Sequence, residues 1–74
     1  MSRLPRISGL RLITVLKRMG FSIIRIKGSH HFLRHPDGRT TVVPVHRGED
    51  IGPGLMVRIL RECEVSVETL RELL

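Results

Sequence analysis

The sequence predicts an α+β fold: one helix, three antiparallel strands, then two more helices, with the helices on one face of the sheet. Three observations predict it. Leu12, Val15, Leu16 and Met19 recur at helical spacing, and Met56, Ile59, Leu60 and Cys63 repeat that stripe. Between the two stripes lie segments rich in β-branched residues. Turn chemistry breaks them twice, at Gly28-Ser29 and at Pro36-Asp37-Gly38. A three-stranded sheet covered by helices on one side keeps its other face wet, and a partner would dock on that face and its turns.

Each element has local reasons. Residues 1–7 read as an extended arm, because Pro5 disfavours a helix. Ser8 is placed to cap the first helix, and Gly20 ends it where a left-handed residue is easiest. The first strand is expected over 21–27, the second over 30–35 and the third over 40–45. Pro44 should sit at a strand end or edge. Residues 46–52 form a polar loop, a second helix is expected over 54–63, and Ser66 caps a short last helix carrying Leu70, Leu73 and Leu74.

Seventy-four residues make one small domain, 1–74. Such a chain buries only about 60% of its extended surface, so its stability margin is thin. Cys63 is alone, which excludes an internal disulfide, and the N-terminus has no apolar signal core. No stretch approaches the roughly 20 apolar residues of a membrane span, so a cytoplasmic protein is expected. Phe21 and Phe32 are the only aromatics, and the composition argues against base stacking on aromatic platforms. No Cys/His spacing of a zinc site occurs, and neither metal nor cofactor is expected.

Charge is uneven along the chain. Residues 1–48 hold ten Lys/Arg and one acid, Asp37, whereas residues 49–74 hold three Arg and six acids. The basic part attracts a polyanion and the acidic tail does not. The cations of the first helix, Arg11, Lys17 and Arg18, are either solvated or part of a nucleic-acid footprint.

The basic part contains Gly28-Ser29-His30-His31, preceded by Arg25 and Lys27. Imidazole is the side chain best poised to move protons near neutral pH. Cations beside it suit a phosphodiester. RNA supplies its own nucleophile, the 2′-hydroxyl, so a protein need only take its proton and stabilise charge on the phosphate. One of His30 and His31 is the candidate base or proton shuttle, and the other is a substrate contact or a second proton donor. Gly28 and Ser29 permit close backbone approach, and Lys27 with Arg25 or Arg34 stabilises the phosphate charge. Strand alternation sets His30, Phe32 and Arg34 on one face and His31, Leu33 and His35 on the other. Neither set is cleanly apolar, so parity leaves open which histidine is exposed. His35 borders a turn and is expected to cap it, and His46 is expected at the surface.

These residues resemble the HicA (YcfA-like) family of toxin ribonucleases. The resemblance runs through Ile7-Ser8-Gly9, Gly20-Phe21, Gly28-Ser29-His30-His31 and His35-Pro36-Asp37-Gly38. It continues through Val42-Val43-Pro44-Val45-His46, Gly54-Leu55, Ile59-Leu60-Arg61 and Val65-Ser66-Val67-Glu68. It implies a fold like a double-stranded-RNA-binding domain and a metal-independent mRNA interferase of a type II toxin–antitoxin system. The implied partners are mRNA and a HicB-type antitoxin. The family's catalytic histidine follows the Gly-Ser pair, which maps to His30. Some members place it one residue later, at His31. Two departures stand out: Leu33 where an aromatic residue is frequent, and Gly52-Pro53-Gly54 where a lysine usually precedes the Pro-Gly or Gly. Two other readings stay open. One is a non-catalytic RNA-binding module of the same fold, and the other is an assembly partner whose basic face meets an acidic protein.

Overall fold

The computed structural model describes residues 3–74. The expected arm over 1–7 thus begins outside the described residues, and its described part is tied down. Ile7 is buried, its carbonyl accepts from the Ile51 N–H at 2.8 Å, and Ser8 bridges to Asp50. Ile7 is held because an apolar residue beside the first helix finds room in the core.

Helix α1 spans Gly9–Arg18, and the Ser8 side chain accepts from the Arg11 N–H at 3.2 Å, as a cap should. Gly9 is required by space. A Cβ there would stand 2.3 Å from the Pro44 carbonyl oxygen, so the helix can start against the sheet only without a side chain. Strand β1 spans Ser22–Lys27, β2 His30–Arg34 and β3 Thr40–Pro44, joined as an antiparallel meander in the order β1-β2-β3. Helix α2 spans Pro53–Cys63 and starts one residue before the expected 54. A proline is preorganised for the first helical position and has no N–H to leave unpaired. Helix α3 spans Val67–Leu73, with the Ser66 side chain accepting from the Thr69 N–H at 3.1 Å. Each strand is trimmed at an end relative to expectation. Phe21 and His35 instead turn toward each other as an edge-on ring pair, centroids 5.1 Å apart.

The buried residues form one cluster. It runs from Ile7 through Leu12, Leu16, Phe21, Leu33, Val43, Met56 and Ile59 to Leu70. Both expected helical stripes lie in or against it, with Met19 only half-buried. Leu33, Thr41 and Val43 point into it from the sheet, which fixes the inner face. Of the last helix, Leu70 is buried, Leu73 packs against the core half-buried, and Leu74 is 37% exposed. Cys63 is buried, as expected, and burial pushes its thiol up to about 11.

Two cations of α1 have a structural use. Arg11 Nη2 donates to the Leu74 carbonyl at 3.4 Å and Arg18 Nη1 to the Leu73 carbonyl at 3.1 Å. They satisfy carbonyls at the end of α3, where cations are favoured. Lys17 is exposed.

Candidate nucleic-acid interface

The turn between β1 and β2 is two residues long, since Lys27 pairs with His30 across the hairpin. Gly28 has φ +58° and Ser29 does not share a positive φ, the pattern of a type II′ turn. Such a turn follows the natural twist of the strands and fixes the register. That register sets three rows across the sheet. Lys27 pairs with His30 and His30 with Pro44. Arg25 pairs with Phe32 and Phe32 with Val42. Ser22 pairs with Arg34 and Arg34 with Thr40.

The inner face is occupied by Leu33, Thr41 and Val43. Alternation therefore turns all three rows outward, to the face away from the core. His30 is exposed on that face, and His31 is half-buried on the helix side, paired with Val43. The question that parity left open is thereby answered. Among the described residues the His30 imidazole has no hydrogen-bond partner. His31 has one: its Nδ1–H donates to the Ser29 carbonyl at 3.2 Å, the oxygen that also accepts from the Val45 N–H at 2.8 Å. That bond holds the turn and leaves Nε2 without a partner among the described residues.

A register shift between Ile23 and Arg25 makes a bulge at Ile24. Simple alternation would put Arg25 and Lys27 on the same side as Ile23, which faces the core. The extra residue switches the parity and brings both cations to the outer face beside Phe32 and His30. Arg25 reaches over the Phe32 ring, 5.8 Å from its centroid. Arg25, Lys27 and Arg34 are all exposed. Every strand residue in the three rows is neutral or basic.

All the candidate residues on β1, the turn and β2 are thus contiguous. Arg25, Lys27, His30 and Arg34 share the outer face, Gly28 and Ser29 form the hairpin tip, and His31 braces that tip from behind. Two features escaped sequence reasoning. The bulge has no marker in the Ser22-Ile23-Ile24-Arg25 string. The count of two aromatics argued against base stacking, but Phe32 lies half-buried on the outer face, where a ring can meet a ligand.

The single acid of the basic part is neutralised away from this face. Asp37 accepts from Arg39 Nε at 2.8 Å and from the Arg39 N–H at 3.1 Å, and these bonds hold its carboxyl below the ordinary aspartate value. No three His, Cys, Asp or Glu side chains gather as a metal site among the described residues. Among the same residues no helix is long and apolar enough to cross a membrane.

Comparison with known proteins fits this geometry. No curated protein matches the chain at a significant level. A family model does: that of the HicA toxin of bacterial toxin–antitoxin systems matches residues 10–65, from the start of α1 past the end of α2. The match covers most of the 74 residues and the whole histidine hairpin, so the chain belongs to the HicA toxin family, whose members work opposite an antitoxin.

Proposed function

We propose that the protein is a metal-independent endoribonuclease, the mRNA-cleaving toxin of a type II pair, with His30 as the group that moves the proton. The observation that carries this reading is the outward row of Lys27 and His30: an exposed imidazole, unpartnered among the described residues, directly across the hairpin from an ammonium group.

The chemistry follows from that row. His30 takes the proton of a ribose 2′-hydroxyl, and the oxygen attacks the adjacent phosphorus. The bond from phosphorus to the 5′-oxygen breaks. The proton held by His30 passes to that leaving oxygen, so charge balances with one shuttle. The products are a 2′,3′-cyclic phosphate and a 5′-hydroxyl. Lys27 and Arg25 stabilise the extra negative charge on the phosphate, and Arg34 holds the strand further along β2. The Gly28-Ser29 tip allows the backbone to approach the chain closely. His31 keeps that tip in place through Ser29, and its half-buried ring remains the alternative substrate contact or second proton donor. A HicB-type antitoxin would silence the toxin by covering this face, in the cytoplasm where mRNA is met.

The test uses an RNA oligomer and its 2′-deoxy counterpart with EDTA present. The reading expects cleavage of the RNA alone, ending in cyclic phosphate and 5′-hydroxyl. Salt-sensitive binding without cleavage would leave an RNA-binding module in its place. Strict dependence on added metal would remove the histidine-only mechanism.

A further inference from the structure

We propose that the outer sheet face beside His30 is a seat for one unpaired RNA base, with the Phe32 ring as its floor. The proposal rests on the RNA reading of the site and names the substrate form it takes: a single strand with its bases free to splay, not a duplex.

The argument starts from where Phe32 stands. It lies two residues from His30 on the same face of β2, roughly 7 Å along the strand. A nucleotide whose phosphate lies at Lys27 and His30 therefore has a neighbouring base within reach of the ring. Beside the ring is a shallow concavity of about 320 Å³, with Ile24, Thr40 and Val42 among its lining residues. Ile24 is 59% exposed, so its side chain is available at the rim of the ring. Alternation from the inward Ile23 already turns Ile24 outward, and the bulge brings Arg25 toward the ring as well. An apolar floor with a guanidinium over it suits the π-face of a base.

Charge decides which part of the nucleotide enters. Glu62 also lines the concavity, and its Oε1 accepts from the Thr41 hydroxyl at 2.8 Å. A carboxylate at that edge repels phosphate and accepts from the amino group of a base. The phosphates are drawn instead to Arg25, Lys27 and Arg34. Duplex RNA offers side chains its backbone and shallow groove, with the base faces stacked inside the helix, so it has nothing to lay on Phe32.

The chain has no Trp and no Tyr, so Phe32→Trp places a lone strong fluorophore on this face. The probe is an uncleavable 2′-O-methyl single strand of eight mixed bases, compared with the same strand made abasic. Stacking predicts that the intact strand quenches the Trp emission and the abasic strand does not. Phe32→Leu, which keeps an apolar side chain, should bind the intact strand roughly five- to a hundredfold more weakly than wild type. It should bind the abasic strand as wild type does. Thermal midpoints of both variants confirm folding. Equal quenching by both strands, or equal affinities of wild type and Phe32→Leu for the intact strand, overturns the seat. So does a Phe32→Leu variant that loses a co-purifying protein partner while keeping its RNA affinity, since the face then belongs to that partner. Because the probe cannot be cleaved, these outcomes are independent of His30. Cleavage surviving in His30→Ala would remove the proposed chemistry and leave the seat standing.

Discussion

The two hairpin turns of the sheet use the same residue types to opposite ends. The β1–β2 turn has Lys27, Gly28 and His30; the β2–β3 turn has His35, Gly38 and Arg39. In the second turn every group is taken. His35 Nε2–H donates to the Met19 carbonyl at 3.1 Å, and its Nδ1 accepts from the Asp37 N–H at 3.1 Å. Asp37 Oδ1 lies 3.0 Å from the same Nδ1. Arg39 is bonded to Asp37, donates to the Cys63 carbonyl and lies 5.2 Å from the Phe21 ring centre. The turn thereby clasps α1, α2 and the sheet together. In the first turn the cation and the outward histidine have no such partners among the described residues. The difference lies in one acid and two nearby helix ends. Asp37, the Met19 carbonyl at the end of α1 and the α2 terminus convert a histidine and an arginine into structure, and the absence of such partners at Lys27 and His30 leaves those groups for a ligand.

The largest expected effect separates the two histidines. His30→Ala should slow RNA cleavage roughly 10²–10⁴-fold and leave the thermal midpoint in place. His35→Ala should do the reverse, lowering the midpoint while each folded molecule keeps its rate. Rate and calorimetry on the same preparations show whether the two effects cross over or move together.

The cations come next. Arg39→Ala removes charged hydrogen bonds and uncovers the Cys63 carbonyl, and should lower the midpoint of a denaturant titration. Lys27→Ala should leave that titration unchanged. Instead it should weaken single-strand RNA binding and reduce the log–log salt slope by about 0.7. A stability loss in Lys27→Ala would erase the contrast.

The glycine of the first turn is a backbone requirement in open space. Nothing lies within 4 Å of a Cβ built on Gly28, so Gly28→Ala should cost only the left-handed strain, about 1 kcal/mol. A much larger loss would mean that the tip is packed, against the picture of a free turn.

The smallest effect is a pH dependence at the clasped end. The Cys63 thiol, pushed up to about 11 from 9.0, keeps its proton longer folded than unfolded. Its contribution is therefore whole below about pH 9 and lost as pH rises through about 11. Alkaline titration of stability should show this loss in wild type and less of it in Cys63→Ala. Identical profiles would mean that the thiol is not the titrating group.

Much of this was legible in the chain. Ser8, Ser66 and the helical stripes fixed the helices, and Gly28-Ser29 and Pro36-Asp37-Gly38 fixed the turns, because these are local signals with local causes. The neighbourhood of His30 was legible from Lys27 and the Gly-Ser pair. Its orientation was not. Parity needs to know which face is buried, and only Leu33, Thr41 and Val43 packing under the helices supplies that. The bulge at Ile24 was invisible because it depends on pairing with β2, a contact between distant residues. Arg11 and Arg18 could be read as footprint or solvated charge, since nothing in α1 announces the carbonyls at the far end of the chain.

The most direct test of the central claim compares His30→Ala with His31→Ala in single-turnover cleavage of one RNA in EDTA. The account predicts that His30→Ala loses nearly all activity, while His31→Ala, with its turn loosened, keeps most of it. A fast His30→Ala beside an inactive His31→Ala would contradict the assignment and move the proton transfer to the helix side of the hairpin.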